Sequence, residues 1–355
     1  MQTFIYEAQI PRVIFGSGTM SRIAEEVTRL GASRAIVLST PGRGKQLAAA
    51  VADQLGGICV AALATAVMHA PVQVSERAVD TVRETGADAI VAVGGGSTTG
   101  LAKAIALRTQ LPQIILPTTY AGSEMTAVLG ETADGRKITR KSPYMRAKTV
   151  IYDIDLSLDV PASVSVSSAM NAIAHGVEAL YARDGNPVIS NLAEDGIRSL
   201  VHALPPIMRD LTDRTARWEA MYGAFLCGAA LGATTMGLQH KLAHILGGAF
   251  NLPHAETHSV LLPHVVAFNA PATPLAMQRL SRAIGEPDPA QALYALARRL
   301  DAPRSLKELG MPENGVDLAV QQAIVDPYDN PVPVEPASLR DLVRKAWSGA
   351  TPYSS

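Results

Sequence analysis

The sequence predicts an α/β N-terminal domain with a mostly parallel, dinucleotide-binding sheet, followed by an all-helical C-terminal domain. Three observations carry this reading. Short apolar runs alternate with helical patterns as far as about Pro161. Strand signals then stop, and segments of helical period continue toward the C-terminus. Three consecutive glycines sit between an apolar run and a helical pattern, where an open α/β sheet holds a phosphate. The 355 residues suit two domains, taken as 1–160 and 161–355.

In chain order, Ala35–Ser39, Ile58–Leu63, Ala89–Val93 and Gln113–Pro117 are the strand candidates, with helical periods over Val74–Glu84 and Leu101–Arg108 between them. Strands alternating with helices imply a parallel sheet covered on both faces. The tight-turn pair Asp134 and Gly135 predicts a β-hairpin, and Thr149–Asp153 follows as the last strand. Helical patterns then run over Ser165–Tyr181, Asn191–Leu204, Arg217–Leu246, Ala255–Asn269, Pro274–Ile284 and Pro289–Arg299. The uncharged stretch Ala220–Gln239 is long enough to span a bilayer. It is rich in Gly, Ala and Thr and runs into His240 and Lys241, so it reads as a fully buried helix.

A hydrophobic fraction of 48% and a charged fraction of 18% exclude a disordered chain. A formal net charge of -1 leaves no basic footprint for nucleic acid. Cys59 and Cys227 both lie in apolar runs and read as buried thiols of a reducing compartment. The first residues lack the pattern of an export signal, so a cytoplasmic location is expected, with no membrane partner.

The loop Gly94, Gly95, Gly96, Ser97, Thr98, Thr99 and Gly100 lets backbone approach a pyrophosphate, and helix amides can bind its charge. It matches neither G-x-G-x-x-G nor a Walker A loop. A second polar loop after a strand carries Thr118, Thr119 and Ser123. Together the loops suit a dinucleotide, NADH or NADPH. The stretch Ser39, Thr40, Pro41, Gly42, Arg43, Gly44 and Lys45 has no acid to repel a 2′-phosphate, so both cofactors are expected.

Asn171 and His175 are four apart, as are His240 and His244, so each pair shares one helix face. His254 is expected to arrive from the loop Asn251–His254. Converging imidazoles suit a divalent metal, but the remaining candidate, Asn171, is an amide and not a carboxylate. His69, His202, His258 and His264 read as structural or solvent-facing. The cleft between the two domains is the expected ligand site.

Taken together, the Gly94–Ser97 loop, the run Pro117–Glu124 and the segment from His240 through His244 to His254 resemble the iron-containing (group III) alcohol dehydrogenase family. The resemblance spans essentially the whole chain and implies its dehydroquinate-synthase-like fold. It is strongest with a branch that reduces maleylacetate to 3-oxoadipate in aromatic degradation. Asn171, His175, His240 and His254 fall at the family's metal-ligand positions, and His244 at a further active-site histidine. Asn171 stands where the family carries Asp, and Gly100 where many members carry an acid. Both departures resemble that branch, which the resemblance implies works without metal.

The resulting expectation is an NAD(P)H-dependent oxidoreductase with Asn171, His175, His240, His244 and His254 in its catalytic site and no bound metal. Ser39, Thr40, Gly94, Gly95, Gly96, Ser97, Thr98, Thr118, Thr119, Ser123 and Lys137 are the expected cofactor contacts, Lys137 by its match to a family lysine. His244 or His240 would donate the proton, and Asn171 and His175 would orient the substrate. The expected partner is a small dicarboxylate substrate, held by local cations such as those of the basic run Arg136–Lys148; a homodimer is also expected. A metal-dependent alcohol or aldehyde dehydrogenase of the same family is the alternative.

Overall fold

The computed structural model describes residues 3–7, 9–133, 136–325 and 327–353. Two compact units are present, Ile10–Val160 and Pro161–Ser355, the latter together with Met1–Gln9.

In the first unit, strands β1 (Arg12–Gly16), β2 (Ala35–Leu38), β3 (Cys59–Leu63), β4 (Ala89–Gly94), β5 (Gln113–Pro117) and β8 (Thr149–Asp153) form one sheet in the order β1-β8-β5-β4-β2-β3. Every pairing in it is parallel. Helices α1 (Ile23–Arg29), α2 (Arg43–Leu55), α3 (Val72–Thr85) and α4 (Gly96–Thr109) connect the strands. Ile23 and Val27 of α1 and Val51 and Leu55 of α2 pack on Val37, Val91, Val93, Ile114 and Leu116. Strand alternation turns Ile90, Ala92 and Ile115 to the other face, where Leu101 and Ile105 of α4 are buried. β1, an edge strand only partly buried, is absent from the sequence-based strands. The sheet order reverses direction between β2 and β4, since the chain runs outward to β3 from one and to β5 from the other. The loops after β2 and β4 therefore meet at the switch point where open α/β sheets bind ligands.

β6 (Val128–Ala133) and β7 (Arg136–Lys141) form the expected antiparallel hairpin. Its turn at Asp134 and Gly135 lies outside the described residues.

The second unit is helical: α5 (Ala162–Tyr181), α6 (Pro187–Arg209), α7 (Arg214–Gly232), α8 (Leu238–Phe250), α9 (His254–Asn269), α10 (Pro274–Ile284), α11 (Pro289–Arg299), α12 (Gly315–Val325) and α13 (Pro336–Ser348). The expected continuous helix through Ala220–Gln239 is instead broken at 233–237. The Asp184 carboxylate accepts the backbone N–H and the hydroxyl of Thr235 at 2.9 and 3.0 Å, which turns the chain out of helix. α12 and α13 lie beyond the expected helices. They add Val316, Val320, Leu339, Leu342 and Val343 to a core with Leu242, Leu246 and Leu261. Cys227 is buried, but Cys59 is only partly so, because β3 is the opposite edge of the sheet. Among the described residues no helix is long and apolar enough to cross a membrane.

Candidate active site

In the α/β unit, β4 ends on Gly94, whose φ is +151°. A Cβ there would lie 2.3 Å from the Thr98 hydroxyl, and one on Gly95 would lie 2.9 Å from that of Thr119. Glycine is thus required where the two polar loops close on each other; the N–H of Thr118 also donates to the Gly94 carbonyl at 3.1 Å. The N-terminus of α4 has no side-chain cap. Thr98 and Thr99 donate their N–H groups back to Gly95, while Gly96 is exposed and Ser97 half-buried. The uncapped first turn at an open face fits the pyrophosphate of a dinucleotide.

The other expected contacts divide. Thr98, Thr118 and Ser39 are buried, and the Ser39 hydroxyl donates to the Thr40 carbonyl at 3.2 Å. Thr40 and Thr119 are half-buried at the loop ends. The side chain of Lys137 lies outside the described residues, and with it that expected contact. Ser123 is engaged from within, by Lys103 of α4. The buried Lys103 ammonium donates to the Ser123 carbonyl and hydroxyl at 2.6 and 3.1 Å, to Thr126 Oγ1 at 2.8 Å and to the Val128 carbonyl at 2.8 Å. Burial pushes its pKa down to about 7, against the opposing pull of Glu124. Lys103 ties the second loop to the helix that carries the first.

In the helical unit, Asn171, His175 and Glu178 follow one face of α5. Gln239, His240 and His244 come from α8, and His254 and His258 from α9. His254 opens α9 and does not sit in the preceding loop. Ring centroids are 5.1 Å apart for His175–His240, 4.7 Å for His240–His258, 4.6 Å for His254–His258 and 5.9 Å for His244–His254. The imidazoles form one contiguous cluster. Asn171, His175, His240 and His258 are buried, whereas His244 and His254 are half-buried and form its open side. The solvent-facing expectation for His258 and His264 is corrected: both are buried, because α9 is covered by α5, α8, α11 and α13. His202 is exposed and lies outside the cluster.

Glu178 organises the cluster. Its Oε1 accepts the N–H of Gln239 at 2.8 Å, and its Oε2 accepts the Nδ1–H of His240. The start of α8, which lacks a cap of its own, thus receives a carboxylate where its dipole is positive. A Cβ on Gly237 would stand 3.0 Å from Glu178 Oε1, so glycine permits the approach. Gln239 Nε2 lies 3.1 Å from both Nδ1 and the carbonyl of His258. Burial first, then the neighbouring imidazoles, hold the His258 pKa well below the ordinary histidine value. Lys241 points away, its ammonium 4.9 Å over the Tyr328 ring.

A divalent ion needs donors aimed at one point about 2 Å away. Here His175 and His240 stack on each other at an interplanar angle of 24°. Asn171 supplies a neutral amide. Among the described residues no group of three or more His, Cys, Asp or Glu side chains is placed to hold a metal ion. As placed, these donors do not fit one.

Sequence reasoning missed Glu178, Gln239, His258 and Lys103. His258 carried a signal, its spacing of four from His254, the same that marks the other pairs.

Comparison with known proteins follows the same division of the chain. Residues 11–154 match the family model "Iron-containing alcohol dehydrogenase", and residues 165–347 match "Fe-containing alcohol dehydrogenase family, C-terminal". The maleylacetate reductase of Burkholderia cepacia is 49% identical over 352 residues, 99% of this chain and all of that protein. The crystal structure of maleylacetate reductase from Rhizobium sp. strain MTP-10005 superposes with a TM-score of 0.93 at 48% identity, covering 99% of this chain and 100% of that one. That of the enzyme from Agrobacterium tumefaciens gives 0.93 at 47%, with the same coverage. The chain belongs to the iron-containing alcohol dehydrogenase family and is an oxidoreductase.

Proposed function

We propose that this chain reduces maleylacetate to 3-oxoadipate with NADH or NADPH, and that imidazoles hold the developing charge where other members of the family use a metal. The observation that carries the reading is the contiguous histidine cluster bordered by Asn171, an amide in place of a carboxylate. The likeness to maleylacetate reductases over nearly the full chain supports the substrate.

The substrate is an oxo-dicarboxylate with a double bond conjugated to its ketone. A nicotinamide cofactor held at the glycine loop would supply the hydride for a new C–H bond at the β-carbon. The π electrons of the double bond move toward the ketone oxygen as an enolate, and a proton is then needed at the α-carbon. The protein has to stabilise that oxygen and deliver that proton. Imidazole N–H groups in a buried site do the first by hydrogen bonds that need no reorganisation. His240 or His244 does the second, as a general acid. Glu178 fixes the ring of His240, and Asn171 and His175 orient the substrate. The uncapped start of α4 and the loop held by Lys103 bind the cofactor.

The test is oxidation of NADPH and NADH by maleylacetate before and after exhaustive chelation. Turnover that survives chelation, with 3-oxoadipate as product, is the expected result. Turnover abolished by chelation and restored by iron or zinc would establish the metal-dependent alternative.

A further inference from the structure

We propose that His258 is a further catalytic residue: Gln239 holds it in the tautomer with its proton on Nε2, and that N–H donates a hydrogen bond to the substrate oxygen on which negative charge collects. The inference rests on the reductase reading above.

The tautomer follows from the amide. Gln239 Nε2 is 3.1 Å from the His258 carbonyl oxygen and 3.1 Å from its Nδ1. A carbonyl oxygen only accepts, so the amide must present its NH2 group to both atoms. Nδ1 therefore receives a hydrogen bond, and the single ring proton resides on Nε2. The amide is itself anchored, since the backbone N–H of Gln239 donates to Glu178 at 2.8 Å. His258 is fully buried, yet its Nε2 has no hydrogen-bond partner among the described residues. A buried donor with nothing to donate to is uncommon in a protein interior and marks a place for a ligand.

The neighbouring ring has the opposite polarity. His240 gives its Nδ1 proton to Glu178, which leaves Nε2 as a lone pair until a second proton arrives; this atom too is buried and unpartnered. The two rings stand 4.7 Å apart at an interplanar angle of 63°. They divide the work. His258 donates a hydrogen bond throughout and gives up no proton, while the proton that reaches the α-carbon comes from His240 or His244.

The test uses the full chain with 15N-labelled histidine and three variants. Gln239→Glu places an acceptor where the amide donated, which draws the ring proton to Nδ1 and turns Nε2 into an acceptor. His258→Phe keeps the ring and removes both nitrogens, and His258→Gln returns an N–H. In the wild type, the 15N spectrum should show a ring protonated on Nε2 that is missing from His258→Phe and inverted in Gln239→Glu. Both of these variants should lose about 100-fold in kcat, with unchanged NADPH affinity by fluorescence titration, and His258→Gln should recover part of the loss. A wild-type spectrum with the His258 proton on Nδ1, or folded His258→Phe with wild-type kcat, overturns the proposal. A wild-type protein inert toward maleylacetate fails the reductase reading and takes the proposal with it, an outcome distinct from active wild type with indifferent variants.

Discussion

The carboxylate of Glu178 receives both the Nδ1–H of His240 and, at 2.8 Å, the backbone N–H of the preceding residue, Gln239. One buried acid therefore fixes a ring and the start of the helix that carries it. Neither contact works alone, because a ring is only as well placed as its backbone. The carboxylate is also what the helix N-terminus calls for, a negative charge against unsatisfied amides.

Glu178→Gln separates these contributions. An amide has one oxygen for two donors, so either the α8 amide or the imidazole loses its partner. We expect kcat to fall about 100-fold, and stability to fall by about 1–3 kcal/mol. The KM for NADPH should stay unchanged, because the glycine loop is untouched. Steady-state kinetics and urea unfolding measure the two effects. Wild-type kcat in the variant would remove Glu178 from the site.

Asn171→Asp should raise the protein's affinity for zinc or iron above that of the wild type. A carboxylate is a stronger ligand for a divalent ion than an amide and offsets its charge. Asn171 lies one helical turn before His175 and, like His175 and His240, is buried. Calorimetric titration with zinc is the measurement. Equal binding by both proteins would mean that position 171 does not govern metal affinity. Binding without gain of activity is the expected companion result, since the pocket is arranged for imidazole donors.

The parts of this architecture written in local periodicity were legible in the sequence. Apolar runs set the buried strands, glycines set the turn after β4, and spacings of four marked His175 and His240 as residues on shared faces. The break at 233–237 was not legible, because it depends on Asp184 and Glu178, which arrive from elsewhere in the chain. β1 escaped notice although Val13, Ile14 and Phe15 form an apolar run, because that run is short and no helical pattern precedes it. The sequence marked Ser39 and Ser123 as hydroxyls but could not show their partners within the protein, a neighbouring carbonyl for one and Lys103 for the other. Glu178 was invisible as a partner because sequence shows a helix face but not what packs against it. His258 was discounted as one of a helix's own residues, although its spacing from His254 repeated the pattern already trusted at the other pairs.

Lys103→Met should destabilise the α/β unit and weaken cofactor binding together. Removing the ammonium leaves the carbonyls of Ser123 and Val128 and the hydroxyl of Thr126 without their buried donor. The expected cost is about 3 kcal/mol, read from chemical unfolding followed by a probe in that unit. Because the same contacts hold the loop beside Thr118 and Thr119, the Kd for NADPH should rise as well. Unchanged stability would show that methionine packing replaces all of these bonds and that the lysine is only a filler.

The protein should use both NADH and NADPH, and Arg43 should favour the latter. The end of β2 at the switch point carries no acid that would bind ribose hydroxyls and repel a 2′-phosphate. Arg43 begins α2 there, and exposed Lys45 follows in the same turn. The Arg43 guanidinium lies 2.9 Å from Asp159, but the two side chains are 41% and 82% exposed. An ion pair this open to water contributes little, so it leaves the arginine able to exchange partners. A 2′-phosphate brings close to two negative charges to the uncapped start of a helix and would outcompete one solvated carboxylate. Arg43→Ala should therefore raise the KM for NADPH about tenfold, or about 1.4 kcal/mol, and leave that for NADH nearly unchanged. Two results would count against this account: equal effects on both cofactors, or a wild-type preference for NADH beyond about a thousandfold, near 4 kcal/mol.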